Sequence, residues 1–281
     1  YSQVDLLSDG SFDFEGIRKA INEKTKLVTI QRSKGYATRK TLSVEQIGEL
    51  IKFVKSIDPK IICMVDNCYG EFVCAEEPSD FGADMVVGSL IKNPGGGLAL
   101  SGGYVCASKE IIDRIAYRLT CPGIGSECGL TFGQTRNVLQ GIFLAPRTVN
   151  SAVKAAMLCA KVFEKLGFDV CPNSNVKRND IIQAICLRDE DRVVAFCQGI
   201  QAAAPIDSHV VPLPWDMPGY EDKVVMAAGS FVQGSSIELS ADAPIREPYN
   251  VYFQGGLTYE HAKFGVLKAA DSMYKKGLLS L

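Results

Sequence analysis

The chain has 281 residues, 47% of them hydrophobic and 22% charged, with 30 Lys plus Arg against 32 Asp plus Glu. That is enough apolar material to bury a substantial core, in one or two globular domains, without disulfides or a structural metal. The near-balance of charge, with no long run of one sign, argues against a nucleic-acid partner, and no apolar stretch reaches membrane-spanning length.

The ten cysteines are scattered among aliphatic neighbours, as in Ile62-Cys63-Met64 and Ile185-Cys186-Leu187, where a thiol packs as a small hydrophobe. A reducing, cytoplasmic setting is expected. The sequence opens on Tyr1-Ser2-Gln3 without a methionine or a leader pattern, so it is expected to start partway through a larger protein.

Asp13 to Ile21 places Phe14, Ile17 and Ile21 at helical spacing, and Leu27-Val28-Thr29-Ile30 reads as a short strand. Ser43 followed by Gln46 fits a capping box, and Ile47, Leu50, Ile51 and Val54 form the stripe of a helix that ends near Asp58-Pro59. Ile61 to Val65 and Met85 to Val87 are continuous apolar strands. This alternation predicts an α/β domain with a largely parallel sheet. Gly95-Gly96-Gly97 and Gly102-Gly103 imply close backbone packing, ahead of a strand at Tyr104 to Ala107 and a helix from Lys109 to Leu119.

Cys121-Pro122-Gly123-Ile124-Gly125 reads as a loop, and about Thr148 to Leu166 as a long connecting helix, with a domain boundary near residue 145. Residues 1–145 are then a large domain and 146–281 a smaller α/β domain. Within the latter, strands are expected at Ile181 to Leu187, Val193 to Cys197 and Val224 to Ala228, and a closing helix at Thr258 to Met273.

Open α/β sheets bind ligands outside the carboxyl ends of their strands. Asp66 follows one apolar strand, and Ser89 and Lys92 follow the next. A partly desolvated lysine can serve as a nucleophilic amine, and a carboxylate facing a heteroaromatic nitrogen holds it protonated. The residues alone leave open a surface lysine and an aspartate that only caps a turn. Gly95-Gly96-Gly97 lacks the spacing of a phosphate-loop or dinucleotide fingerprint. Cys63, Cys68 and Cys74, with only two histidines, His209 and His261, give no metal-ligand pattern, so no metal is expected. His261 reads as a local hydrogen-bonding group at a helix start.

Val65-Asp66-Asn67-Cys68-Tyr69-Gly70-Glu71 and Gly82-Ala83-Asp84-Met85-Val86-Val87-Gly88-Ser89-Leu90-Ile91-Lys92-Asn93-Pro94-Gly95-Gly96-Gly97, with the length between them, resemble the cystathionine and methionine lyase group of fold-type I pyridoxal-phosphate enzymes. The whole chain, including Phe231 to Asp242 and Tyr252 to His261, is similar to the aluminium-resistance or methionine gamma-lyase-like family. The resemblance implies an aspartate aminotransferase-like fold, with a partial large domain and a smaller C-terminal α/β domain. It also implies pyridoxal 5'-phosphate as cofactor, bonded to Lys92, which then acts as a base, with Asp66 against the ring nitrogen. Tyr69 would donate to the ring oxygen, Asn67 would support that oxygen or orient a loop, and Ser89 would bind the phosphate. Arg246 would grip a substrate carboxylate, with Arg32 as the second candidate.

Relatives often carry threonine directly before the lysine where this chain has Ile91, so one hydroxyl donor is absent. A glycine-containing phosphate loop and a ring-stacking aromatic are also not visible. The implied activity is β or γ elimination from a small sulfur-containing amino acid by a homodimer or homotetramer with shared active sites. The alternatives are an aminotransferase and a cofactor-binding, stress-related protein with little activity.

Overall fold

The computed structural model describes residues 1–119, 121–127, 129 and 131–280. The first unit is a four-stranded sheet in the order β1-β2-β3-β4, formed by β1 (Leu27–Gln31), β2 (Ile62–Asp66), β3 (Met85–Ser89) and β4 (Gly103–Ala107). β1, β2 and β3 are parallel, whereas β4 returns antiparallel to β3, so the expectation of a largely parallel sheet holds for three of the four strands.

Helix α1 (Phe14–Ala20) and helix α2 (Val44–Ile57) cover one face. α2 starts as its sequence predicts. The Ser43 hydroxyl accepts from the Gln46 amide, and the Gln46 side chain accepts from the Ser43 amide. Its buried stripe, Ile47, Leu50, Ile51 and Val54, packs with Phe12, Ile30, Ile61, Cys63 and Val65. Each such side chain stabilises the fold by about 1.5–3 kcal/mol when removed from water. α3 (Lys109–Leu119) follows β4.

The long helix α4 (Thr135–Lys165) is 31 residues and begins well before the expected Thr148. Pro146 lies inside it, and the helix runs through residue 145. Its later turns bury Ala155, Cys159 and Phe163 in the core of a second sheet, which is antiparallel throughout. That sheet has the order β5-β6-β9-β8-β7, from β5 (Asp169–Cys171), β6 (Gln183–Cys186), β7 (Val224–Ala227), β8 (Ser240–Pro244) and β9 (Asn250–Gln254).

The segment Val193 to Cys197, expected as a strand, lies instead in helix α5 (Glu190–Gln201). Asp189 caps that helix by accepting from the Arg192 amide, and Glu190 and Asp191 complement the positive end of its dipole. The closing helix α6 (Tyr259–Lys275) starts at Thr258 as predicted; the His261 amide donates to the Thr258 hydroxyl, and the His261 ring contacts the Ala203 carbonyl. All nine cysteines among the described residues are free. Among the described residues, no helix is long and apolar enough to cross a membrane.

α5 and α6 meet backbone to backbone. A Cβ added at Gly199 would lie 2.5 Å from Ala269 Cα and 2.6 Å from the Lys268 carbonyl oxygen. Backbone cannot move aside as a side-chain tip can, so Gly199→Ala is expected to destabilise the protein by about 1–3 kcal/mol. Urea unfolding should show a lower midpoint with an unchanged slope.

Candidate active site

The carboxyl ends of β1, β2 and β3 lie side by side, with Gln31 in register with Asp66 and Asp66 with Val87. The chain stays stitched together just beyond them: the Arg32 amide donates to the Asp66 carbonyl, and the Asn67 amide donates to the Val87 carbonyl. Asp66, Ser89 and Lys92 therefore share one sheet edge.

Asp66 caps its own turn, since Oδ1 accepts from the Cys68 amide at 3.1 Å. The turn-capping reading of this residue is thus real, and it holds the carboxylate at the strand end. Burial, only partly offset by Lys92, pushes the neighbouring Cys68 thiol up to about 11, so it is neutral at physiological pH.

Tyr69 adopts φ 72°, a left-handed conformation that side-chain-bearing residues seldom take and that costs about 1–3 kcal/mol. The turn places its ring against Val149, Ala152, Ile181 and Ile237. On the site side the Lys92 ammonium sits 4.2 Å from the ring centroid. Burial pulls the Lys92 pKa down, but Tyr69, Cys68 and Asp66 outweigh it and leave it raised. Desolvation therefore does not neutralise the Lys92 amine.

Lys92 precedes a 3-10 turn, Asn93–Gly95, that docks on α4. A Cβ at Gly96 would lie 2.5 Å from the Gly141 carbonyl oxygen, and one at Gly141 would overlap the Gly95 carbonyl. Close backbone packing is the role of these glycines, as their sequence suggests. Ser89 ends β3, where its carbonyl accepts from the Lys92 amide.

Arg32 and Asn67 form a network behind this edge. Asn67 Oδ1 accepts from Arg32 Nη1 at 2.7 Å, and Asn67 Nδ2 donates to Glu77 Oε2 at 2.8 Å. The Arg32 guanidinium is fully buried, and a Cβ at Gly70 would lie 2.6 Å from it. The structure places Arg32 beneath the Asp66 turn instead of in the crevice. Arg246 follows β8, is half-exposed and pairs with Asp222 at 3.0 Å, not with the adjacent Glu247. Its charge is felt by the Tyr252 phenol.

The second sheet contributes residues that sequence reasoning missed. Asp242 of β8 accepts from the Tyr36 hydroxyl on Oδ2 and from Gln254 Nε2 on Oδ1, the latter at 3.0 Å. The Tyr36 ring packs on Tyr252 and Tyr220, with centroids 5.2 and 5.5 Å away. Tyr36 and Tyr69 both pack against the cluster of Ile182, Ala184 and Tyr252, so the second sheet lies beside the Tyr69 turn. Glu238 shapes the loop before β8 by accepting from the amides of Ser230, Phe231 and Val232. Burial of Ser240 to Pro244 on every residue removed the alternation that reveals a strand.

The donor set fits pyridoxal phosphate. An amine for its aldehyde, a carboxylate for its ring nitrogen and a hydroxyl for its phosphate occur along one edge, as Lys92, Asp66 and Ser89. Ser235 is buried in the loop where a Cβ added at Gly234 would lie 3.9 Å from Ile91, and its hydroxyl has no hydrogen-bond partner. Among the described residues, no group of three or more His, Cys, Asp or Glu side chains is arranged to hold a metal ion.

The family model described as methionine gamma-lyase matches residues 1–274. The chain is 52% identical to the uncharacterized protein YnbB of Bacillus subtilis over 99% of its own length and 66% of that protein's. It thus spans about two thirds of that relative. A crystal structure from Listeria monocytogenes, whose name assigns it provisionally as a cystathionine beta-lyase involved in aluminium resistance, shares 50% identity with a TM-score of 0.94, covering 97% of this chain and 67% of that one. A carbon-sulfur lyase involved in aluminium resistance from Clostridium novyi shares 53% identity and a TM-score of 0.92, covering 98% and 64%. Serine palmitoyltransferase of Sphingomonas wittichii, at 13% identity and a TM-score of 0.60 over 95% and 59%, is alike in fold alone and supports fold type I. By sequence across nearly its whole length and by the superposition of its fold, the chain belongs to the methionine gamma-lyase family.

Proposed function

We propose that the protein is a pyridoxal-phosphate-dependent carbon-sulfur lyase that acts on a small sulfur-containing amino acid by β or γ elimination. The observation that carries this reading is the Lys92 ammonium over the Tyr69 ring, beside Asp66, at the ends of adjacent parallel strands. The names of the Listeria and Clostridium relatives support the reaction class. When bound, the cofactor supplies an electron sink for the substrate carbanion.

Lys92 would hold the cofactor and, with it bound, take the proton from the substrate α carbon. Asp66, fixed by the Cys68 amide, would keep the ring nitrogen protonated. Tyr69 would donate from its phenol to the ring oxygen and Ser89 to the phosphate, while Asn67 keeps the Asp66 turn in place through Arg32 and Glu77. Arg246, on the Tyr252 side, receives the substrate carboxylate after releasing Asp222. Aminotransfer is the competing outcome, because it uses the same amine and the same acid.

Borohydride reduction of the full-length, cofactor-loaded protein followed by peptide mass analysis should find the pyridoxal adduct on Lys92. Attachment at another lysine would refute the tether. Asp66→Asn should keep part of its cofactor and lose most turnover, since an amide cannot hold the ring nitrogen protonated; near-normal activity in folded protein would remove the proposed electronic role.

Methionine, homocysteine, cysteine and cystathionine, assayed for keto acid, ammonia and thiol or sulfide, should give keto acid and ammonia in equal amounts with a sulfur product. Keto acid without ammonia, with amination of an added keto acid, establishes aminotransfer instead.

The two arginines should separate cleanly. Arg246→Leu is expected to fold normally and to lose about tenfold to a hundredfold in kcat/KM, the worth of a charge-assisted pair. Arg32→Leu leaves Asn67 and Glu77 without their buried partner and is expected to cost about 2–3 kcal/mol of stability, read by urea unfolding. A normal kcat/KM in Arg246→Leu would exclude it as the carboxylate anchor.

A further inference from the structure

Lys92 and Tyr69 stand in two turns that leave different strands, yet the amine lies 4.2 Å from the ring centroid. Packing on α4 places each turn separately, one through Gly96 and Gly141, the other through Val149 and Ala152. One side chain joins them directly. Asn93, the residue after Lys92, is fully buried, and its Nδ2 donates at 3.0 Å to the carbonyl of Glu71, two residues beyond Tyr69. The Asn93 carbonyl accepts from the Gly96 amide, so the same residue is held to the part of its turn that rests on α4.

The receiving end is as firmly fixed. The peptide group whose oxygen takes the Asn93 amide has its N–H on Phe72, and that N–H donates to Glu77 Oε1 at 2.9 Å. A peptide bonded on both sides is polarised by each bond in favour of the other. The Glu71 side chain is anchored too: its Oε1 accepts from the Tyr104 hydroxyl at 2.9 Å and lies against Gly88, where an added Cβ would be 2.5 Å from it. Asn93 Oδ1, by contrast, has no partner. Leucine or aspartate has a similar shape, and what asparagine alone brings to the Glu71 carbonyl is an amide donor.

We propose that Asn93 is a positioning residue for the Lys92 amine: it ties the turn after β3 to the turn after β2 and so holds Nζ over the Tyr69 ring. The proposed function enters only in the use made of the amine; the tie belongs to the ligand-free chain. An ammonium over an aromatic face is attracted to it. Burial pulls the Lys92 pKa down, and the groups that face it, Tyr69, Cys68 and Asp66, leave it raised. Without the tie the amine withdraws from all three, and its pKa falls. Misplacement by about 1 Å is enough to cost a chemical step heavily, so the loss acts on turnover more than on substrate binding.

The test uses the full-length protein, first without cofactor. Trace labelling of its amines with acetic anhydride from about pH 7 to about pH 11, read by peptide mass analysis, gives the titration midpoint of Lys92, with the exposed Lys109 as reference in the same chain. In Asn93→Leu that midpoint should lie below the wild-type one. Gly199→Ala strains the α5–α6 contact and touches neither turn, so it lowers stability and should leave the midpoint unchanged. Loaded with cofactor, Asn93→Leu should lose about tenfold to a hundredfold in kcat with KM within about threefold, while Gly199→Ala keeps both.

An unshifted midpoint in folded Asn93→Leu overturns the assignment. So does an equal shift in Gly199→Ala, which would make it a general effect of lost stability, and so does a near-normal kcat with the cofactor on Lys92. If Asn93→Leu does not fold, Asn93→Ala takes its place; failure of both to fold makes Asn93 part of the core and overturns the positioning role as well. Borohydride mapping stays independent. Cofactor found on another lysine would end the proposed tether and leave the labelling result standing, whereas an unshifted midpoint with cofactor on Lys92 would end the role of Asn93 alone.

Discussion

The arrangement of the site depends on a contact with no side chains in it. The turn after Lys92 lies against α4 so closely that Gly96 and Gly141 leave no room for a Cβ on either partner. Gly96 also takes φ 55°, where glycine is at no disadvantage. Two helical turns further along, α4 presents Val149 and Ala152 to the Tyr69 ring, and beyond them Ala155, Cys159 and Phe163 enter the core of the antiparallel sheet. One rigid element thus sets Lys92, Tyr69 and the second sheet in register with one another. A side chain at either glycine would move the amine relative to the Tyr69 ring that it faces.

Behind Asp66 the chain carries a buried charge as scaffolding. Arg32 has a neutral amide as its short-range partner and Glu77 only at 3.5 Å, so most of its stabilisation comes from being hydrogen-bonded in place, not from a tight ion pair. Glu71 lies next to this group with its carboxyl raised to about 7 by burial, and it accepts from the Tyr104 hydroxyl at 2.9 Å. The layer under the crevice is polar and tied together by hydrogen bonds, although Arg32 Nε and Glu71 Oε2 find no partner and the Glu77 side chain is 31% exposed. That rigidity suits a turn in which Tyr69 is held in an unfavourable backbone conformation.

The first sheet and its ligand-facing ends were legible because their signals are local. Ser43 and Gln46 cap α2 as their spacing predicts, and the apolar runs ending at Asp66 and Ser89 are β2 and β3. Legibility fails where tertiary burial replaces periodicity. β8 and β9 are buried at every position, and the sequence Ser240-Ala241-Asp242-Ala243-Pro244 shows neither alternation nor an aliphatic run. Asp242 was invisible for that reason. The opposite error produced a strand at Val193 to Cys197: five apolar residues in a row suit either element, and Asp189 with Glu190 and Asp191 was the helix-start signal that decides between them. The connecting helix, expected from about Thr148, begins at Thr135 and accommodates Pro146 in mid-course.

Charge balance ties the two sides of the crevice together. Asp66 comes from the parallel sheet and Asp242 from the antiparallel one, and Lys92 acts on both. Arg32 is committed beneath the Asp66 turn and Arg246 to Asp222 at the surface, so neither offsets the acids directly. The raised pKa of Lys92 follows first from Tyr69, then from Cys68 and Asp66, acting against burial. Under the proposed function a protonated ring nitrogen would restore part of that balance at Asp66, the carboxylate that the Cys68 amide fixes at the strand end.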